Sequence, residues 1–166
     1  MAEPSISIRS VRRDDLAGVM ALERAGFPPV EQWSERSWLG ELLGERRTTL
    51  LARTHVLAGV IALQTVGHVA DLLRLVVAPQ HRRRGIGAAL VNAGLEAVRR
   101  AGATTVLLEV AFDNDPAIAL YQQLGFEQLA AREDYYGSGR HALILKLYDL
   151  PDRPPVTALT EREATS

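Results

Sequence analysis

The chain has 166 residues, enough for one domain with a sizeable core. Its composition, 47% hydrophobic and 23% charged with a formal net charge of −1, is that of an ordinary globular protein without a global field toward nucleic acid or a membrane surface. The absence of cysteine excludes disulfides, thiol catalysis and thiolate metal sites.

The first residues, MAEPSISIRS, carry neither the basic nor the apolar region of a secretory signal. No apolar run reaches the roughly 18 residues of a membrane helix. A cytoplasmic protein is expected. Residues 5–11 alternate, with Ile6, Ile8 and Val11 apolar, and predict a first strand. Asp14 or Asp15 can cap a helix carrying Leu16, Val19, Met20, Leu22 and Glu23, which the sequence from Gly26 to Pro29 ends. Ser34 can cap a second helix with Trp38, Leu39, Leu42 and Leu43 on one side. Residues 48–52, 56–65 and 70–77 are strand-like. Residues 85–101 predict a helix with an apolar side, closed by Gly102. Residues 104–110 are a nearly continuous apolar strand, the pattern of a strand covered on both faces. Asp115 and Pro116 open a short helix that Gly125 stops. Residues 126–135 and 140–147 predict a hairpin around Gly137, Ser138 and Gly139. From Pro151 the periodicity vanishes, so a domain of residues 1–150 is expected to precede a disordered tail, 151–166. The order β-α-α-β-β-β-α-β-α-β-β combines an antiparallel meander with parallel crossovers. It predicts an α/β chain built on a mixed sheet with helices on its faces.

The stretch LVVAPQHRRRGIGAAL, residues 75–90, concentrates the chemical information. A strand ends at Ala78-Pro79, three arginines follow, and Gly85-Ile86-Gly87 opens a helix. Unpaired N–H groups and the positive dipole end at a helix N-terminus, beside Arg82, Arg83 and Arg84, suit a phosphate or pyrophosphate. A Rossmann fingerprint fails because Leu90 stands where its third small residue belongs, and a Walker A loop fails for want of Gly-Lys-Ser/Thr. A solvated turn with glycines for close packing is the alternative.

The pattern Arg82-Arg83-Arg84-Gly85-Ile86-Gly87 resembles the Q/R-x-x-G-x-G/A motif of the GNAT acetyltransferases. Leu108-Glu109-Val110, Asn114, Ala119-Leu120-Tyr121 and Leu124-Gly125-Phe126 follow the C-terminal half of that family's pattern. Within the family the chain is similar to the RimI branch, which acetylates the N-terminus of ribosomal protein S18. Gln32-Trp33-Ser34 and Tyr135-Tyr136 echo that branch. The resemblance implies a sheet of about seven strands flanked by four helices, splayed open between the fourth and fifth strands, with acetyl-CoA in the split and no metal. It implies CoA contacts from Leu75, Val76, Val77, Arg82, Arg83, Arg84, Gly85, Ile86, Gly87, Ala88 and Asn114. By the same resemblance Glu109 is the general base and Tyr121 the general acid, with Trp33, Tyr135 and Tyr136 lining a groove for the acceptor. Three positions depart from the pattern. Ala78 stands where the family commonly has Asp, Arg74 where it frequently has Asn, and no proline directly precedes Trp33.

The same residues have plainer readings. Glu109 interrupts an apolar strand and could be a strand-end carboxylate facing solvent or an arginine. Tyr121 could be a core tyrosine, Asn114 a helix cap, and Trp33 a hydrophobic staple ahead of a helix. Leu75, Val76 and Val77 read as core side chains whose backbone is left for the cofactor. Tyr135 and Tyr136, if in a strand, point to opposite faces, so at least one packs. The four histidines show no ligand spacing. The expected activity is acetyl transfer from acetyl-CoA to the α-amino group of a protein N-terminus, a ribosomal protein by resemblance, in a monomer or homodimer. The alternatives are a small-molecule amine or lysine as acceptor, or a CoA-binding module without turnover. Four clustered basic residues from His81 to Arg84 without interleaved aromatics make a poor nucleic-acid footprint.

Overall fold

The structure, a computed structural model, describes residues 5–152. All but the first two positions of the expected tail lie outside that range. Seven strands form one sheet in the order β1-β2-β3-β4-β5-β7-β6. The strands β1 (Ser7–Ser10), β2 (Arg47–Arg53), β3 (Leu57–Val66) and β4 (Val69–Val77) make an antiparallel meander. Strand β5 (Thr105–Ala111) runs parallel to β4, and β7 (Ala142–Leu147) is antiparallel to both β5 and β6 (Glu127–Arg132). The helices are α1 (Leu16–Gly26), α2 (Glu35–Leu43), α3 (Ile86–Arg100) and α4 (Asp115–Gln123). The expected element order and mixed sheet are found. Among the described residues no helix is long and apolar enough to cross a membrane.

Both faces of the central strands are covered, which explains their unbroken apolar runs. On one face Leu90, Val91, Leu95 and Val98 of α3 pack with Ile61, Leu63, Leu72, Val106 and Leu108. Full burial of such a Leu or Val side chain contributes about 1.5–3 kcal/mol. On the other face Val19, Met20 and Leu22 of α1 and Trp38 of α2 meet Leu51, Val60, Ala62 and Val76. Helix α3 sits close to β3 because the contact positions are glycines. A Cβ on Gly59 would lie 2.8 Å from Leu90 Cδ1 and 3.0 Å from the Val76 carbonyl oxygen.

A β-bulge in β4 sets the shape of the sheet. Arg74 pairs with Ala62 and Leu72 with Leu63, so Leu73 is an extra residue. Ala70 and Leu72 face the α3 core before it, and Leu75 and Val77 pack toward the same core after it. The inserted residue thus turns Arg74 and Val76 to the α1–α2 face. The β4–β5 ladder runs from Val69↔Thr105 to Leu72↔Leu108 and ends there. Beyond it β5 continues against β7 through Ala111↔Ala142. The sheet therefore forks between its fourth and fifth strands, as the family resemblance implied.

Arg74 fills the space its turn creates. Its Nε donates to Glu23 Oε1 at 3.2 Å, and one of its terminal nitrogens closes a second, short bond to Glu23 Oε2. Trp38 Nε1 donates to Glu23 Oε1 at 2.9 Å and the Trp33 backbone N–H to Oε2 at 3.2 Å. The same Arg74 nitrogen donates to the Glu31 carbonyl at 2.8 Å, and the guanidinium stacks 3.5 Å over the Phe27 ring. Glu23 has no exposed surface.

Local details correct three expectations. Neither Asp14 nor Asp15 caps α1 through its side chain. Asp15 instead accepts two bonds from Arg9 at 2.8 Å and one from the Arg12 N–H, which hold its carboxyl down at about 2. Only Trp38 of α2 is buried, and Leu43 is exposed, because the helix lies at the edge of its cluster. The expected hairpin strands are shorter. β6 ends at Arg132 and β7 starts at Ala142, joined by turns in which Asp134 Oδ1 accepts from Gly139 N–H at 2.7 Å. Tyr135 and Tyr136 therefore lie in a loop, and strand alternation does not apply to them.

Removing one partner of a buried ion pair strands the other. Arg74→Leu is expected to destabilise the fold by about 3–5 kcal/mol, and adding Glu23→Leu to recover most of that loss. Urea unfolding of the single and double variants measures both.

Candidate active site

The phosphate-type loop has the shape its sequence suggested. After β4, Pro79–His81 makes a single 3-10 turn, and Arg82, Arg83 and Arg84 are exposed. Arg83 and Gly85 adopt left-handed backbone, with φ of 63° and 79°. Gly85 is the N-cap of α3, and its carbonyl accepts the Ala89 N–H at 3.0 Å. The N–H groups of Ile86, Gly87 and Ala88 therefore open onto the loop, as the first turn of any helix leaves them. The Ile86 side chain is buried in the α3 core, so only its backbone is available to a ligand. Arg82 turns inward enough for its Nε to donate to the Val77 carbonyl at 3.2 Å.

The fork brings the remaining residues to the same cleft. Leu75 and Val77 pack toward the α3 core and Val76 toward α1 and α2, so their side chains are structural. Past Leu72 the β4 edge is no longer paired to β5, which leaves its backbone groups facing the split. Helix α4 closes the far side. A Cβ on Gly87 would lie 3.3 Å from Leu120 Cδ2 and 3.8 Å from Val77 Cγ2, so the starts of α3, the end of β4 and α4 converge. Asn114 caps α4, its Oδ1 accepting from Ala117 N–H at 3.4 Å, which is the plainer of its two readings.

Glu109 lies one residue past the last β4–β5 rung, on the opening of the fork. Its side chain is one-third exposed, and Oε1 accepts from an Arg132 guanidinium nitrogen at 2.8 Å. Both halves of its sequence reading are thus present: a carboxylate at the cleft, and a carboxylate facing an arginine. Tyr121 is buried, its ring edge-on to Phe126 at 5.7 Å. Loss of solvent, reinforced by Tyr136, raises its phenol well above the ordinary value, so it stays protonated.

The loop between β6 and β7 forms the opposite wall. The Tyr135 and Tyr136 rings meet edge-to-face at 4.9 Å, both partly exposed. The Glu109 carboxylate keeps the Tyr135 phenol above its usual range, and burial together with Glu109 does the same for Tyr136. Arg140 pairs with Glu31 at 2.8 Å, tying this loop to the segment between α1 and α2. Trp33 precedes the N-cap Ser34 and packs on Trp38 at 5.0 Å, a hydrophobic staple. Its ring also lies 5.1 Å from the Arg74 guanidinium.

Sequence reasoning singled out neither Glu23 as a buried anchor nor Arg132 and Arg140 as groove cations. An acid at helical spacing from Val19 and Met20, on the apolar side of α1, was the available signal for Glu23. Arg132 had none, because its meaning depends on reaching across β7. Among the described residues no group of three or more His, Asp or Glu could hold a metal ion.

Comparison with known proteins agrees with this geometry. The model of the Acetyltransferase (GNAT) family matches residues 14–126. The [ribosomal protein bS18]-alanine N-acetyltransferase of Salmonella typhimurium is 36% identical over 135 residues, covering 80% of this chain and 86% of that enzyme. The Escherichia coli K12 enzyme of the same name is 32% identical over 133 residues, covering 78% and 86%. The crystal structure of the E. coli ribosomal-protein-S18-alanine N-acetyltransferase superposes with a TM-score of 0.80 at 29% identity, over 87% of this chain and 94% of that one. The forked mixed sheet, the loop leading into α3 and these relationships agree: the chain belongs to the GNAT family and is an N-acetyltransferase.

Proposed function

We propose that the chain transfers an acetyl group from acetyl-CoA to the α-amino group of a protein N-terminus, with an alanine-starting ribosomal protein as the model acceptor. The observation that carries this reading is the fork itself. It sets the free β4 edge and the α3 N-terminus on one side of a cleft, with Glu109 at the opening and Tyr121 behind. The family uses acetyl-CoA, and the residues present suit it. The α3 N–H groups at Ile86, Gly87 and Ala88, with Arg82, Arg83 and Arg84, supply donors and charge for a pyrophosphate. The β4 backbone of Leu75, Val76 and Val77 offers pairing groups for amides, and Asn114 a further contact.

The chemistry follows from these groups. An α-ammonium has a pKa of about 8, so a modest base suffices. Glu109 accepts a proton from it, directly or through a water, and frees the nitrogen lone pair to attack the thioester carbonyl. A backbone N–H near Val77 donates to the carbonyl oxygen as charge builds there. The C–N bond forms and the C–S bond breaks as Tyr121 gives its proton to the departing sulfur; the second proton of the attacking nitrogen leaves to solvent as the amide forms, and the Tyr121 phenolate takes a proton back from water. With no cysteine in the chain, the acetyl group passes directly between the two bound substrates rather than through a thiol of the enzyme.

The acceptor assignment draws support from the walls of the groove. Tyr135 and Tyr136 present aromatic surface that suits an extended peptide. Glu31, which could have made an acidic pocket for a polyamine, is neutralised by Arg140. Two of the relatives reported above are named [ribosomal protein bS18]-alanine N-acetyltransferase.

Kinetics and calorimetry test the proposal. With acetyl-CoA saturating, an alanine-starting peptide should turn over with higher kcat/KM than spermidine or free amino acids. Faster turnover of a small amine would sink the peptide reading. Glu109→Gln should lower kcat/KM by about 10²–10⁴-fold. Tyr121→Phe should lower kcat, and the wild-type rate should hold past the ordinary phenol range on the alkaline side. Wild-type rates in both variants would remove their assigned roles. Gly85→Val forces a β-branched residue into left-handed backbone, and should weaken CoA binding about ten-fold by calorimetry.

A further inference from the structure

The Glu109 carboxylate is already engaged. Arg132 reaches it from β6, across the intervening strand β7. Glu109 is paired with Ile144, while Arg132 is paired with Ala142, one rung pair further along. Spanning that diagonal takes a long side chain, and the 2.8 Å bond shows that arginine manages it. The guanidinium is also held 4.5 Å over the Tyr135 ring, yet the Arg132 side chain remains 52% exposed. It has somewhere to go without unpacking the core.

The other groups facing Glu109 come from two places. Tyr135 and Tyr136 lie in the β6–β7 connection, and Asp71 projects from β4. Asp71 is half-buried, and both burial and the Glu109 charge raise it. Glu109 thus sits between one cation and a second carboxylate. Its neighbourhood has a place for one positive charge, and in the empty groove Arg132 supplies it.

An acceptor amine arrives as a cation at neutral pH. Two cations on one carboxylate repel each other, and an arginine left in place weakens the carboxylate as a base by stabilising its charged form. We propose that Arg132 is the counter-ion that the acceptor's ammonium replaces at Glu109, so that acceptor binding is an exchange of ion pairs. The inference rests on Glu109 being where the acceptor nitrogen docks, and assigns Arg132 as a positioning residue. It holds the carboxylate through the 2.8 Å bond, then withdraws toward the Tyr135 face as the substrate enters.

The test uses the full chain with acetyl-CoA saturating and an alanine-starting peptide varied. Arg132→Gln removes the competing cation, so KM for the peptide should fall about two- to five-fold, the range an exposed ion pair supports. Arg132→Lys, which keeps the charge, should keep KM nearer the wild-type value. An unchanged or raised KM in Arg132→Gln overturns the exchange. Glu109→Gln separates this from the underlying reading. With the carboxylate gone, adding Arg132→Gln should produce no further fall in KM, and a fall that persists there also overturns the exchange. Wild-type turnover by Glu109→Gln alone would instead remove the base role.

Discussion

Glu23 is an ionisable side chain with no exposed surface, and its two oxygens receive four donors from Arg74, Trp38 and the Trp33 backbone. Desolvating a carboxylate and a guanidinium costs several kcal/mol each, and only near-complete hydrogen bonding offsets it. The pair is placed where that cost has a structural use. Arg74 follows the β4 bulge, at the point where β4 leaves β5. Glu23 lies on α1, and Trp33 and Trp38 belong to the approach to α2 and to α2 itself. One buried ion pair therefore ties the α1–α2 segment to the diverging strand. A hydrophobic pair could fill the space, but it would not fix the direction in which Phe27, Glu31 and Trp33 are presented.

The cleft follows from that arrangement. A sheet normally keeps both edges of an inner strand paired, because unpaired backbone groups are costly when buried. Here β4 gives up its pairing to β5 after Leu72, and the exposed edge faces the cleft instead. The bulge makes this possible by turning the strand, and α3 packs against Leu75 and Val77 of the turned strand while lying close to β3 at Gly59. The opening then collects groups of opposite character. Tyr121 sits in a dry environment that keeps its proton, while Glu109 remains partly solvated beside Arg132. One is kept protonated by burial and the other is a partly solvated carboxylate bonded to an arginine, and the proposed proton transfers rest on this pair.

Element type and order were legible in the chain because periodicity and punctuation agreed. Ser34 and Asn114 cap helices as their positions suggested, and Gly85 occupies the left-handed N-cap for which glycine is suited. The shape of the loop before α3 could be read because it is local, a matter of consecutive residues and the glycine at the N-cap. Trp33 was legible as a staple for the same reason. The region between β6 and β7 was misread because no glycine or proline stands between Phe126 and Gly137, although the strand ends at Arg132. There the turn around Asp134 outweighed β-propensity, satisfying backbone groups locally.

The sequence by itself determined the elements, the two apolar faces and the phosphate-type loop, since each depends on residues within a few positions of one another. It also carried the family pattern through Glu109, Asn114 and Tyr121. Only the tertiary structure decided what Glu23, Arg74, Arg132 and Arg140 do. Their partners lie far away along the chain, and a charge has no readable role until folding removes its water and chooses its counter-ion. Arg74 in particular looks like a departure in the sequence and is a buried anchor in the fold, because a single inserted residue turns it toward α1.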